Sequence, residues 1–151
     1  MRNLLFIFLA GITLFGCNTY SEEQKSSLNA DAENYAKKNQ WKYEVLDGGL
    51  ILEVLKKGTG TEKIQAGSMV SISYKGTLTN GKKFDVTEPG KPFEANLKGL
   101  IGGFQIGLLN QVSGTKLRLV IPPHLGYGDD PLDKIPANSI LIFEITIEKV
   151  F

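Results

Sequence analysis

The chain has 151 residues, 42% of them hydrophobic and 22% charged, a balance that fits one folded domain with a real core and does not fit a disordered chain. The net charge is +1, and Arg2 is the only charge before Cys17, so the remainder sums to zero; this excludes the basic footprint of a nucleic-acid binder and a polybasic lipid-binding patch. Cys17 is the sole cysteine, which excludes an internal disulfide and a cysteine metal site.

In chain order, residues 1–16 read as a leader. Arg2 is a short basic head, and Leu4 to Phe15 is a 12-residue run without charge. A spanning helix needs about 20 apolar residues, so the run fits a signal peptide better. It closes on Leu14-Phe15-Gly16-Cys17. These residues resemble the bacterial lipobox, an aliphatic residue three before a cysteine and a small residue directly before it. The resemblance implies cleavage after Gly16, acylation of Cys17 and attachment to a membrane through that lipid, with the chain outside the cytoplasm. Asn18, where an aspartate would mark inner-membrane retention in some bacteria, points to an outer membrane, facing the periplasm or the cell surface. One lipid chain anchors only marginally at about 0.8 kcal/mol per methylene, whereas two or three hold lastingly. Phe15 is bulkier than the pattern usually carries. The plainer alternatives are an ordinary signal peptide with an incidental cysteine, or a poor transmembrane anchor.

Residues 17–44 read as a polar tether on the acylated cysteine. SEEQKSS has a flexible-linker composition. A short helix over 28–39 is expected, capped by Asn29 or Asp31, with Ala32, Tyr35 and Ala36 on its apolar face. Such a helix would hold the domain off the lipid surface, and Trp41 reads as packing or tether.

The domain follows over 45–151. LILEVL (50–55) is a strand that runs into a Gly-rich turn. Residues 69–78 alternate, with Val70, Ile72 and Tyr74 on one side and Ser71, Ser73 and Lys75 on the other, as a half-buried strand does. Asn80-Gly81 predicts a two-residue type I′ hairpin, both residues at positive φ, returning through 82–86. Residues 101–110 are the clear helix. Ile101, Phe104, Leu108 and Leu109 share a face, and Gly102, Gly103 and Gly107 admit close neighbours. Residues 115–121 and 140–149 alternate again, the latter with Leu141, Phe143, Ile145 and Ile147 inward. The sum is α+β, an antiparallel sheet covered by one short helix.

On these elements lie pieces that match a family. VSISYKGTLTNGKKFD (70–85) is followed by Lys91-Pro92-Phe93, Gly99-Leu100-Ile101-Gly102-Gly103-Phe104, Ile121-Pro122-Pro123, Gly126-Tyr127-Gly128 and IPANSILIFE (135–144). In this order they resemble FKBP-type peptidyl-prolyl cis-trans isomerases over about residues 48–151. The resemblance implies a twisted half-barrel of five to six antiparallel strands wrapped around one short helix. It also implies an apolar pocket for a proline ring, walled by Tyr74, Phe84, Asp85, Phe93, Leu100, Ile101, Phe104, Tyr127, Ile135 and Phe143. Without the family, core is the better reading of Phe84, Ile101, Phe104 and Phe143, with Tyr127 as a turn residue and Asp85 as a solvated strand-end charge.

The roles implied are catalytic for Asp85, Tyr127 and the Ile101 N–H. Tyr127 and Ile101 bind substrate carbonyls, and Asp85 polarises the site electrostatically. The substrates implied are X-Pro bonds of exported polypeptides, with no metal and no cofactor, on a chain expected to be a monomer. A module that only binds proline segments, or a scaffold lipoprotein with little turnover, is the alternative. Macrolide inhibitor binding is implied too, weakened by Phe104 where the best-known members carry tryptophan. No arginine stands between Asp85 and Phe93, which leaves Lys91 or Arg118 as partners for Asp85. The acidic loop DDPLDK (129–134) and Ala137 depart from the family rim, and that loop is too short for an inserted chaperone flap. His124 reads as an exposed loop residue.

Overall fold

The computed structural model describes residues 20–151; the expected leader over 1–16 and Cys17 lie outside them. Ser21 starts a 17-residue helix, α1 (Glu22–Lys38). Gln24 N–H donates to Ser21 Oγ (3.2 Å) and Ser21 N–H donates to Gln24 Oε1 (2.8 Å), a reciprocal capping box. Glu22 and Glu23 in its first turn and Lys37 and Lys38 in its last complement the helix dipole. This strong cap starts the helix well ahead of the expected 28–39. Nor is the segment a loose tether. Ala32 and Ala36 are fully buried against Ile51, Val120 and Ile142, with Tyr35, Trp41 and Tyr43 packed around them. Trp41 is packing: the Arg118 guanidinium lies 4.1 Å from its ring centroid, and Arg118 also bonds Glu53 (2.8 Å) and Glu144 (3.0 Å). Among the described residues, no helix is long and apolar enough to cross a membrane.

The strands are β1 (Glu44–Val45), β2 (Ile51–Lys56), β3 (Met69–Leu78), β4 (Lys83–Val86), β5 (Phe93–Asn96), β6 (Lys116–Ile121) and β7 (Leu141–Val150). They form one antiparallel sheet in the order β1-β2-β6-β7-β3-β4, with β5 also on β3. The count of seven exceeds the expected five to six because β1 and β5, at two and four residues, are too short for alternation to show. Period-two alternation divides the faces. Leu119, Ile121, Leu141, Phe143, Ile145 and Ile147 turn to the main core under helix α2 (Gly102–Leu108), while Ile51, Val120 and Ile142 turn to α1. Ser71 departs from its expected outward place and is buried beside a register shift between β3 and β7.

α2 comes close to β6 because of two glycines. A Cβ on Gly103 would stand 2.6 Å from the Ile121 side chain, and one on Gly107 2.7 Å from Leu119. Gly102 has only ordinary contacts, the nearest at 3.5 Å, so it does not share that role. The β3–β4 hairpin is also not type I′. Gly81 has φ 83°, but Asn80 is not at positive φ. Gly81 N–H donates to Leu78 O (2.9 Å) and Leu78 N–H to Lys82 O (2.9 Å), a three-residue loop closed by a left-handed glycine.

One edge of β3 is shared. Lys75 to Thr77 pair with β4 and Met69 to Ile72 pair with β5. Between them residues 87–92 leave the edge and return to it. Thr87 N–H fastens the departure to Tyr74 O (3.0 Å).

Candidate active site

The site forms where β3, β4, β7 and α2 meet. Gly76 on β3 lies opposite Phe143 on β7. A Cβ there would stand 2.6 Å from the Phe84 ring and 2.9 Å from the Phe143 ring, so the glycine of the Tyr-x-Gly motif lets both rings close over the strand. Phe143 meets Phe104 (4.7 Å between centroids), Phe84 (5.4 Å) and Tyr74 (5.8 Å), all edge to face. Tyr74 meets Phe93 and Phe104, each at 6.2 Å. Phe84, Phe104, Phe143 and Ile135 are buried as a floor. Phe93 (44% exposed) and Tyr127 (39%) stand at the rim. Leu100 and Ile101 are partly buried against the same core. The plainer core reading is thus true of the floor, and the rim supplies the accessible surface.

Tyr74 Oη donates to Asp85 Oδ2 (2.6 Å), and Val86 N–H donates to Asp85 Oδ1 (2.8 Å). Neither cation expected for Asp85 reaches it. Lys91 pairs with Glu88 (2.6 Å), and Arg118 lies beside Trp41, against which α1 packs. A neutral hydroxyl thus takes the place expected for a cation. Burial, then the bond to Asp85, pushes the Tyr74 hydroxyl well above the ordinary tyrosine range. Burial, then the Asp85 charge, also raises the Tyr127 hydroxyl above its ordinary value. Both phenols therefore remain hydrogen-bond donors at neutral pH.

Ile101 is the N-cap of α2. Its carbonyl accepts from Phe104 N–H (2.9 Å) and Gln105 N–H (3.1 Å), which leaves its own N–H ahead of the first turn. Two residues not singled out in the sequence hold this frame. Gln105 Nε2 donates to Leu100 O (2.7 Å) and fixes the approach to Ile101. Thr87 Oγ1 accepts from Tyr74 N–H (3.0 Å) and donates to Tyr74 O (3.3 Å), pinning the backbone of the central tyrosine. Only the helical spacing of Gln105 one turn after Ile101 hints at its bond; nothing in the sequence pairs Thr87 with Tyr74.

The turn bearing Tyr127 is braced from below. Gly126 and Gly128 N–H groups both donate to Pro123 O (2.9 Å), and Asn138 N–H donates to Gly128 O (2.8 Å). Tyr20 Oη donates to Asn138 Oδ1 (2.6 Å), and its ring meets His124 at 6.2 Å. His124 is half-buried rather than exposed, because Nε2 bonds Gly48 O (3.0 Å). An open groove of about 690 Å³ lies elsewhere, between β1 and α2, lined by Val45, Leu46, Ile106 and Leu109 among others; none of the ten wall residues borders it. Among the described residues, no group of three or more His, Cys, Asp and Glu is placed to hold a metal.

Comparisons with known proteins identify the fold and the family. The family model "FKBP-type peptidyl-prolyl cis-trans isomerase" matches residues 60–148. The FKBP-type isomerase FkpA of Buchnera aphidicola is 44% identical over 100 residues, 66% of this chain and 40% of that protein. FK506-binding protein 1A of Neurospora crassa is 45% identical over 100 residues, covering 64% of this chain and 83% of that one. The chain thus spans well under half of the FkpA relative but most of the shorter one. Among solved structures, the crystal structure of FkpA from Escherichia coli superposes with a TM-score of 0.72 at 35% identity, over 85% of this chain and 62% of that one. A Pseudomonas syringae isomerase superposes at 0.70 and 29% identity, over 87% and 98%. With more than half of its length matched by the family model, the chain belongs to the FKBP-type peptidyl-prolyl cis-trans isomerase family.

Proposed function

We propose that this chain is a peptidyl-prolyl cis-trans isomerase that acts on X-Pro bonds of exported polypeptides. The observation that carries the reading is the convergence of Tyr74, Phe84, Phe93, Phe104 and Phe143 beside a carboxylate held by a tyrosine hydroxyl. Rotation about the bond before proline has a barrier of about 18–20 kcal/mol because the planar amide has partial double-bond character. The planar form is charge-separated and the twisted form is not. A dry, ring-lined floor solvates the planar form poorly and so favours the twisted one. The Tyr127 hydroxyl and the Ile101 N–H would hold substrate carbonyls, and the Asp85 carboxylate would bias the field at the turning amide. The same pocket would take FK506 or a related macrolide, as the names of the FK506-binding relatives suggest, with affinity limited by Phe104 on the floor.

A protease-coupled assay on a short X-Pro peptide tests the reading. Wild type should accelerate the exchange. Asp85→Leu and Tyr127→Phe should each lower kcat/KM about tenfold, the size of one hydrogen bond to a charged or partly charged group (~1.5 kcal/mol). An inactive wild type that still binds proline peptides would make the chain a recognition module instead.

For location, we infer a lipoprotein held at a membrane by acyl chains on Cys17, outside the cytoplasm and in an outer membrane. The leader of residues 1–16, the sole cysteine at its end and Asn18 support this. Cys17→Ser should move the protein out of the membrane fraction; retention there would reject the lipid anchor.

A further inference from the structure

Residues 20–38 are fastened to the sheet and to the loop after Tyr127 rather than left as a loose tether. A flexible tether over residues 17–44 would leave the domain free to turn. Instead, helix formation begins at Ser21, and the helix is fastened to the sheet through Ala32 and Ala36. Tyr20 is fastened too. Its hydroxyl donates to Asn138 Oδ1 at 2.6 Å, its ring lies against His124, and Asn138 N–H bonds Gly128 O, the residue after Tyr127. Only Asn18 and Thr19 separate Cys17 from Tyr20, and the three peptide steps between them span at most about 11 Å in any conformation.

We propose that the rim of the proline pocket, residues 126–138, is the part of the domain held nearest the membrane surface, so that the site acts on polypeptide segments lying along or emerging from the lipid. This rests on the acylation of Cys17 proposed above. The opposite end of the domain is well separated. β7 starts just after the rim at Leu141 and runs ten residues to Val150, a length of about 33 Å, and its far end pairs with Val70. The rim's own chemistry suits contact with the headgroup layer rather than insertion. Leu132 and Tyr127 are exposed, but Asp129, Asp130 and Asp133 share the loop, and the first two lie close enough to raise the Tyr20 hydroxyl after burial has done so. Carboxylates stay hydrated rather than enter an apolar layer, so the mouth remains at the aqueous face of the headgroups. A peptide threaded along the surface can then reach the pocket without the enzyme leaving its anchor.

The test uses the mature acylated chain in nanodiscs doped with gadolinium-chelate lipids, read by amide signal loss. Mass spectrometry of Cys17 comes first, and an unmodified cysteine rejects the anchor itself. With the acyl group present, amides of residues 126–138 should lose several-fold more intensity than those of residues 65–69 and 151. Twelve Gly-Ser residues inserted after Asn18 should bring the two sets to within twofold. Equal loss in the chain without the insert, or greater loss at residues 65–69 and 151, overturns the orientation while leaving the lipid anchor standing.

Discussion

Tyr74 meets three other rings edge to face and gives its hydroxyl proton to Asp85. Its titration follows from that position. Burial and the bond to Asp85 raise the hydroxyl in the folded state above its unfolded value of about 10. A raised group contributes stability that is complete below the unfolded value and is lost as pH rises through the folded one. Tyr127, Tyr43 and Tyr20 are raised as well, each chiefly by burial. Spectrophotometric titration of the native chain should therefore lag behind that of the denatured chain above pH 10, and Tyr74→Phe should remove the latest step. Coincident native and denatured curves would show that these hydroxyls are not shielded. The family resemblance names the rings that converge here; alternation alone puts Tyr74 and Phe143 on inward faces and leaves Phe84 and Phe104 as core. Neither makes their bonds legible. Sequence distance offers Asp85 the cations Lys91 and Arg118, whereas proximity across β3 and β4 is set by register. The phenol eleven residues upstream is nearer than either.

At the scale of elements, α2 and its glycines separate two effects that a sequence confounds. Ala at either Gly102 or Gly103 gains about 1 kcal/mol of helix propensity. At Gly103 the new methyl would sit 2.6 Å from Ile121, and overpacking costs typically ~1–3 kcal/mol. At Gly102 the nearest atom is 3.5 Å away, an ordinary contact. Gly103→Ala should lower the urea midpoint and Gly102→Ala should hold or raise it; the reverse order would mean that α2 does not pack on β6 as described. β3, β6 and β7 were legible from alternation, β2 from its apolar run before a Gly-rich turn, and α2 from its helical period. The short strands β1 and β5 were not, because four residues carry no period. The start of α1 was open to reading and was missed: Ser21-Glu22-Glu23-Gln24 has the Ser-x-x-Gln spacing of a capping box, hidden by a composition that resembles a linker. Asn-Gly at 80–81 marked the hairpin correctly and its loop length wrongly, since a single left-handed glycine satisfies a three-residue loop as well.

Across the whole molecule, α1 and the sheet bury a second apolar layer that depends on both. Ala36 is fully buried there, so Ala36→Asp places a carboxylate against Ile51, Val120 and Ile142 and should cost at least about 2 kcal/mol. The loss should appear at one midpoint, the same by Trp41 fluorescence at the junction and by far-ultraviolet circular dichroism. An early fluorescence step with an unchanged second transition would mean that the helix detaches alone. The shared edge of β3 has a different kind of consequence. Residues 87–92 depart from that edge at Tyr74 and rejoin it at Ile72, and both ends are pinned by pairing. Chain length can therefore change within this excursion while each strand keeps its neighbours. Because Phe93 is the residue on which the excursion lands, a longer or shorter loop would reshape the lip of the ring-lined site and spare its floor, so the lip can vary without refolding the domain.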